Sequence, residues 1–433
     1  MLRYLIALAM LPVMDDANAQ STSIGQTVQS TSEDPTPLEA RARDLVLILN
    51  DEGDAEATFN SVFLEAFPPT QLAALSAQLT AQFGNAVGVE DLSTRGGTAS
   101  QMTIRMERGL ARFAIVLDPS QDSRIGGLRL LGVTPIGDSM ERITSDLMSL
   151  DGEVSAFFGP IDGNSRTLAI NTQTQRPLGS AMKLYVLGAL GEEIAQGLRG
   201  WDDVVTLDRK SFPSGQMQDW PEGSPVTLHT LASLMISISD NTATDALIRL
   251  LGRERMTRYL EQTAHSQPER NAPWLTTREL FLLKGGPKER IASFSSGSLP
   301  ERERILARIE DNPPTLGEIN AALAAGPVAI DTIEWFANTS DLARLFARMR
   351  AASDPEVFRI LQINKGIDAN IAADWDYVGY KGGSETGVLN MTWLLQDASG
   401  RDRILTLSWS NTQKPVKTET LLLIAQRLLS LAQ

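Results

Sequence analysis

Apolar residues recur at helical spacing over residues 37–50 and again over 55–67, where Pro68-Pro69 ends the pattern; a third helical stretch covers 71–83. The period then shortens to two. Residues 102–106 and 111–117 alternate, 125–133 reads as a further strand, and Gly96-Gly97, Gly109 and Asp118-Pro119 supply turns. Helices followed by an antiparallel meander predict a small α+β module over 37–133, with 134–138 as a linker. Glu65 and Glu90, its candidate acids, read as solvated surface charges.

A second pattern starts at residue 139. A helix over 139–150 leads into strand-like stretches at 154–158 and 167–171, and a polar loop (172–179) delivers the chain to a helix over 180–197. That helix opens apolar almost all round, through Ala181, Met182, Leu184, Tyr185, Val186 and Leu187, which predicts burial in the middle of a domain. Helical patterns at 227–238, 242–251 and 339–350 follow. Alternating strands (389–396, 403–410) and an amphipathic helix (418–431) close the chain. Strands at both ends around a helical middle imply one sheet built from distant parts of the chain. No internal repeat is evident.

Composition narrows the chemistry. A formal charge of -14 leaves no basic patch for phosphates and argues against nucleic acid. The absence of cysteine excludes disulfides, thiolate metal sites and cysteine nucleophiles. The two histidines, His229 and His265, have no metal-ligand spacing and no G-x-S-x-G beside them, and His229 falls in an apolar helix pattern that predicts a core position. No metal or cofactor is implied. Arg3, the apolar run over 4–14 and Ala17-Asn18-Ala19 read as an export signal (1–19) cleaved after Ala19. The run is too short to span a bilayer, so the expectation is a periplasmic or secreted protein without a transmembrane anchor; association with the cell envelope stays open. The polar stretch 20–36 reads as a disordered lead-in.

Three short motifs carry the candidate chemistry. Ser180-Ala181-Met182-Lys183 places a hydroxyl and an amine one helical turn apart, the minimum for a serine nucleophile with a lysine base. Ser239-Asp240-Asn241 lies between two helix patterns, where short polar side chains reach a cleft. Lys381-Gly382-Gly383-Ser384 follows the strand-like Tyr377-Val378-Gly379-Tyr380, and its glycines let a substrate approach the backbone. Only 8 of the 39 basic residues are lysine, and two of them fall in these motifs. Taken singly, Ser180 and Asn241 read as helix caps and Lys381 as an exposed turn residue; as an ordered set they read as a site.

S-x-x-K, S-D-N and K-x-G in this order resemble class A β-lactamases and the related penicillin-binding proteins, over roughly residues 139–433. The resemblance implies a β-lactamase-like domain: an antiparallel sheet covered by helices, plus an all-helical subdomain. The module over 37–133 resembles cystatin-like or NTF2-like domains in outline. By the same resemblance Ser180 is the acylated nucleophile and Lys183 its base, while Ser239 relays a proton and Lys381 attracts a substrate carboxylate. Asn241 binds the substrate amide, and the Ser180 and Ser384 N–H groups, with Gly383 between strand and substrate, form the oxyanion hole. The expected partner is a small or peptide-like acyl substrate. The alternatives are a true β-lactamase and a catalytically retired binding protein of the cell envelope.

The sequence departs from the family in three places. The hydroxyl residue after the third-motif lysine is replaced by Gly382, which puts β-lactams with a free carboxylate in doubt. Glu334, four residues before Asn338, is the possible deacylation base, with an ordinary first-turn helix glutamate as the alternative. Ser239 and Lys381 are unusually far apart, and the excess is placed at 281–326, as a lid, a specificity element or a surface decoration.

Overall fold

The computed structural model describes residues 35–94, 99–162 and 166–431. The expected export signal and all but the last two residues of the expected lead-in lie outside the described residues. The chain divides into two compact units that part between Asp138 and Ser139.

In the first unit, helices α1 (Pro37–Leu49), α2 (Ala55–Thr58), α3 (Ser61–Ala66) and α4 (Pro69–Phe83) precede an antiparallel meander. Its strands β1 (Ala86–Thr94), β2 (Ala99–Met106), β3 (Gly109–Asp118) and β4 (Arg124–Pro135) lie in chain order. Helix α1 packs on α4 and β1, and Leu45, Leu79, Ile104, Phe113 and Ile115 are fully buried. The single helix expected over 55–67 is broken in two. Asn60 caps α3 at Phe63 N, bonds Asp118 and sends its own N–H to Ile125 O, so pairing with the sheet overrides helical continuity. Strand β1 escaped the sequence reading because its residues do not alternate and its register against β2 shifts twice.

In the second unit, α5 (Met140–Met148) leads into β5 (Glu153–Pro160), β6 (Leu168–Ile170) and β7 (Arg176–Pro177). A 3₁₀ turn at Gly179–Met182 opens α6 (Lys183–Ala195). The ribbon of β8 (Val204–Thr206) and β9 (Pro225–Thr227) is followed by α7 (Leu228–Ser237), α8 (Asn241–Leu251), α9 (Arg253–Gln262) and α10 (Thr277–Lys284). Then come α11 (Lys288–Ser296), α12 (Leu299–Ala307), α13 (Leu316–Ala325), β10 (Phe336–Ala337), α14 (Thr339–Ala352), α15 (Glu356–Gln362) and α16 (Ala369–Ala373). The hairpin strands β11 (Tyr377–Glu385), β12 (Val388–Gln396) and β13 (Asp402–Ser410) and helix α17 (Thr418–Leu431) end the unit.

The main sheet runs β11-β12-β13-β5-β6 and is antiparallel throughout, so strands from both ends of the unit sit side by side. Both faces are covered. Leu389, Met391, Trp393 and Leu395 of β12 pack with residues of α5 and α17, whereas Leu394 joins the core around α6. Helix α6 is buried from Lys183 to Glu193, which matches its all-round apolar start.

Local differences from the sequence reading have physical causes. Strand β11 does not stop at Tyr380 but runs to Glu385, with Gly382 opposite Met391 and Gly383 opposite Asn390. Leu282, Leu283 and Lys284, at the start of the stretch 281–326, are buried in α10. His229 is not in the core: its side chain is 46% exposed and meets Glu356. His265 is the buried one, bonded to Phe336 O. Because Leu184 lies at the centre of the larger core, Leu184→Ala should cost about 3 kcal/mol, read as a lowered urea midpoint with unchanged slope.

Candidate active site

The Ser180 turn is held from two sides. Pro177 of β7 pairs with Phe336 of β10, and Leu178 N–H donates to Trp335 O at 2.8 Å. Gly179 adopts φ +50°, which favours glycine, and donates its N–H to Glu334 Oε2 at 3.1 Å. Opposite, the turn presses on β11. A Cβ on Gly383 would collide with Leu178 O and lie 2.5 Å from Ser180 N, and one on Gly179 would lie 3.0 Å from Ser384 N. Two missing side chains thus let the Ser180 and Ser384 backbones approach closely.

Lys183 enters the site one turn along, from the first residue of α6. Its Nζ lies 2.7 Å from Ser239 O, 3.0 Å from Ser239 Oγ and 2.8 Å from Asn241 Oδ1. Lys381 Nζ lies 3.1 Å from the same Ser239 Oγ and 2.5 Å from Gly382 O. One hydroxyl therefore stands between two buried amines. Desolvation, reinforced by Lys381, pushes Lys183 well below the usual lysine range against the pull of Asp245 and Asp240. Desolvation alone brings Lys381 down to about 7. Among the described residues Ser180 Oγ makes no hydrogen bond, so Lys183 Nζ bonds Ser239 and Asn241 but not Ser180.

The Ser239 loop is built for this position. Ser239 has φ +58°, a conformation that costs a non-glycine residue about 1–2 kcal/mol. Ser214 Oγ bonds its carbonyl at 2.7 Å. Asp240, fully buried, caps α8 at Ala243 N and accepts from Gln216 N and Met217 N, and only a glycine fits at 215 beside it. Asn241 uses Oδ1 on Lys183 and Nδ2 on Phe212 O at 3.1 Å, so it orients the lysine. Gly179, Ser214 and Asp240 were not singled out as site residues by sequence; the positive-φ glycine beside Ser180 was the available signal.

Gly382 has its own explanation. Tyr380 and Gly382 share one face of β11, and a Cβ at 382 would collide with Tyr380 Oη. The tyrosine hydroxyl occupies the space of the side chain that the sequence lacks. It has no hydrogen-bond partner among the described residues, and burial raises its pKa, so it stays a neutral donor.

Glu334 is not a first-turn helix glutamate. Helix α14 starts at Thr339 behind its cap Asn338, and Glu334 is buried before β10, bound by Gly179 N, Trp335 N and Lys284 Nζ, the last at 3.1 Å. Lys284 Nζ also contacts Glu385, the last residue of β11. Sequence reasoning missed Lys284 and Glu385, which have no local motif. Among the described residues, no cluster of His, Cys, Asp and Glu could hold a metal ion.

Residues 138–303 match the family described as the β-lactamase enzyme family. This stretch is similar to that family over well under half of the chain. It contains Ser180, Lys183, Ser239 and Asn241; Glu334, Lys381, Gly383 and Ser384 lie beyond it. Among solved structures, the β-lactamase of Sphaerobacter thermophilus DSM 20745 is 18% identical over 68% of this chain and 97% of its own, with a TM-score of 0.47. PBP-A is 15% identical over 67% of this chain and 94% of its own, with a TM-score of 0.47. An ancestral class A β-lactamase (GNCA) is 15% identical over 68% and 99%, again with a TM-score of 0.47. No curated protein matches the chain by sequence. Ser239 is held in its strained conformation while its hydroxyl stands between two buried amines. Ser239→Gly should therefore raise stability by about 1 kcal/mol in chemical denaturation while slowing acylation by at least tenfold in a stopped-flow assay.

Proposed function

We propose that this protein is an exported serine hydrolase that cleaves an amide or ester through an acyl-enzyme on Ser180. The observation that carries the reading is Ser239 Oγ, 3.0 Å from one buried amine and 3.1 Å from another, beside the paired Ser180 and Ser384 backbones. Ser180 Oγ bonds to the substrate carbonyl carbon as its proton passes to the Lys183 amine, while the oxyanion forms against the two N–H groups. When the C–N or C–O bond breaks, the leaving group takes a proton from Ser239 Oγ, which Lys183 replaces. The depressed proton affinity of Lys183 suits a base, and Lys381, protonated below about pH 7, supplies a cation for an anionic group on the acyl donor.

Water must then release the acyl group. Glu334 is the one acid flagged by sequence for that step, and its carboxylate is already committed to Gly179, Trp335 and Lys284. The reading is therefore a long-lived acyl-enzyme. It takes 1–19 as a cleaved export signal and the first unit as a binding or spacing module; no described helix is long and apolar enough to cross a membrane.

Intact-mass measurement after mixing with penicillin or a nitrophenyl ester should show one persistent adduct, absent from Ser180→Ala. Lys183→Ala should slow its formation by at least a hundredfold at neutral pH. A labelled Ser180→Ala protein overturns the assignment. Tyr380→Phe should raise KM about tenfold or more for acyl donors carrying a carboxylate and leave uncharged donors unchanged, as one lost charge-assisted hydrogen bond predicts.

A further inference from the structure

The second unit buries a charged cluster that the acylation steps do not use. Lys284 at the end of α10, Glu334 before β10 and Glu385 at the end of β11 have side chains 0%, 1% and 15% exposed. Lys284 Nζ contacts both carboxyls, Glu334 Oε1 at 3.1 Å and Glu385 Oε1, so the two acids converge on one ammonium. The cluster touches both halves of the oxyanion pair. Glu334 Oε2 accepts the N–H of Gly179, the residue before Ser180, at 3.1 Å. Glu385 directly follows Ser384 and shares the face of β11 that carries Lys381 and Gly383.

Charge counting then sets the state of the cluster. One ammonium balances one carboxylate, so with both acids ionised an uncompensated negative charge would sit in a desolvated site, adjacent to where a second negative charge develops on the substrate. With one proton between the carboxyls the cluster is neutral, and the shared hydrogen bond ties β11 to the stretch that grips Gly179. We propose that Glu385 keeps a proton that it donates toward Glu334 over the Lys284 ammonium, and that this neutral cluster is a positioning device that holds the Ser180 and Ser384 N–H groups in register for the oxyanion. Glu385, Glu334 and Lys284 are positioning residues, since none need touch the substrate.

The electrostatics agree with the geometry. Burial, aided by Glu334 and opposed by Lys284, raises Glu385 to about 8. Lys381 lies four residues back on the same strand, and Glu318 of α13, whose Leu323 O meets Thr386 at the end of β11, is occupied in its own helix cap.

The inference rests on the acylation reading, so its test has one readout that depends on that reading and one that does not. The first is the acylation rate constant with a nitrophenyl ester, for Glu385→Gln relative to wild type across pH. Glutamine keeps the shape and the hydrogen bond but cannot ionise. The ratio should be near one at pH 6 and rise to about tenfold at pH 9; contributions from Lys183 and Lys381 cancel in it. A ratio independent of pH overturns the proposal. The second is the unfolding equilibrium constant of wild type relative to Glu385→Gln. The folded protein retains this proton up to about pH 8, whereas the unfolded chain releases it near the ordinary glutamate value. Stability is thus greatest at low pH and is lost as pH rises, and the ratio should climb about tenfold per pH unit between about 4.5 and 8. A flat ratio there overturns the proton-sharing pair even if acylation proceeds as proposed. If wild type is never acylated while this ratio climbs, the hydrolase reading fails and the proton pair stands. Glu334→Gln, which removes the other carboxyl, should flatten both pH dependences in the same way; unaltered profiles would count against the proposal.

Discussion

The approach of the Ser180 turn to strand β11, backbone against backbone, is the constraint on which the site depends. Gly179 and Gly383 face each other across it, and a methyl group on Gly383 would drive Leu178 and Ser180 off the strand. The same contact explains why β10 pairs with β7 and why Glu334 must be buried: both press the turn onto the strand from behind. Packing of the apolar α6 anchors the far end of the turn, so a hydrophobic core and two glycines together set the position of one serine.

Burial of charge is the second theme. The site removes Lys183, Lys381, Lys284, Asp240, Asp245 and Glu334 from water, which is costly unless each is paired or relinquishes its charge. Two solutions appear. Around Ser239 the lysines lose proton affinity, which turns a burden into reactivity. Around Glu385 the ammonium keeps its charge and a carboxyl gives up its own. The Asp residues take a third course and spend their oxygens on helix starts, Asp240 on α8 and Asp245 on Thr277 and Arg278 of α10.

Much of the site was legible because its side chains travel in short motifs. Ser180 with Lys183, and Ser239 with Asn241, lie close in sequence and read as a site only as an ordered set with Lys381; Ser239 does bond Lys183 and Lys381. The cluster of Lys284, Glu334 and Glu385 was not legible: its members are fifty and fifty-one residues apart in sequence and meet only when α10, the β10 approach and β11 pack. Gly382 looked like a loss and is better seen as an exchange, since Tyr380 folds back over it, a contact between residues i and i+2 that alternation permits but does not announce. In the first unit, β1 was hidden by two bulges and the break at Asn60 by a tertiary hydrogen bond, both consequences of sheet pairing that no local pattern encodes.

The order of strands in the main sheet carries a consequence for assembly. Strand β5 precedes Ser180 in sequence and its neighbour β13 follows it, Glu153 to Pro160 pairing with Ser410 to Arg403. The sheet therefore closes only through a pairing of high sequence separation, which forms slowly relative to the local helices between the two strands.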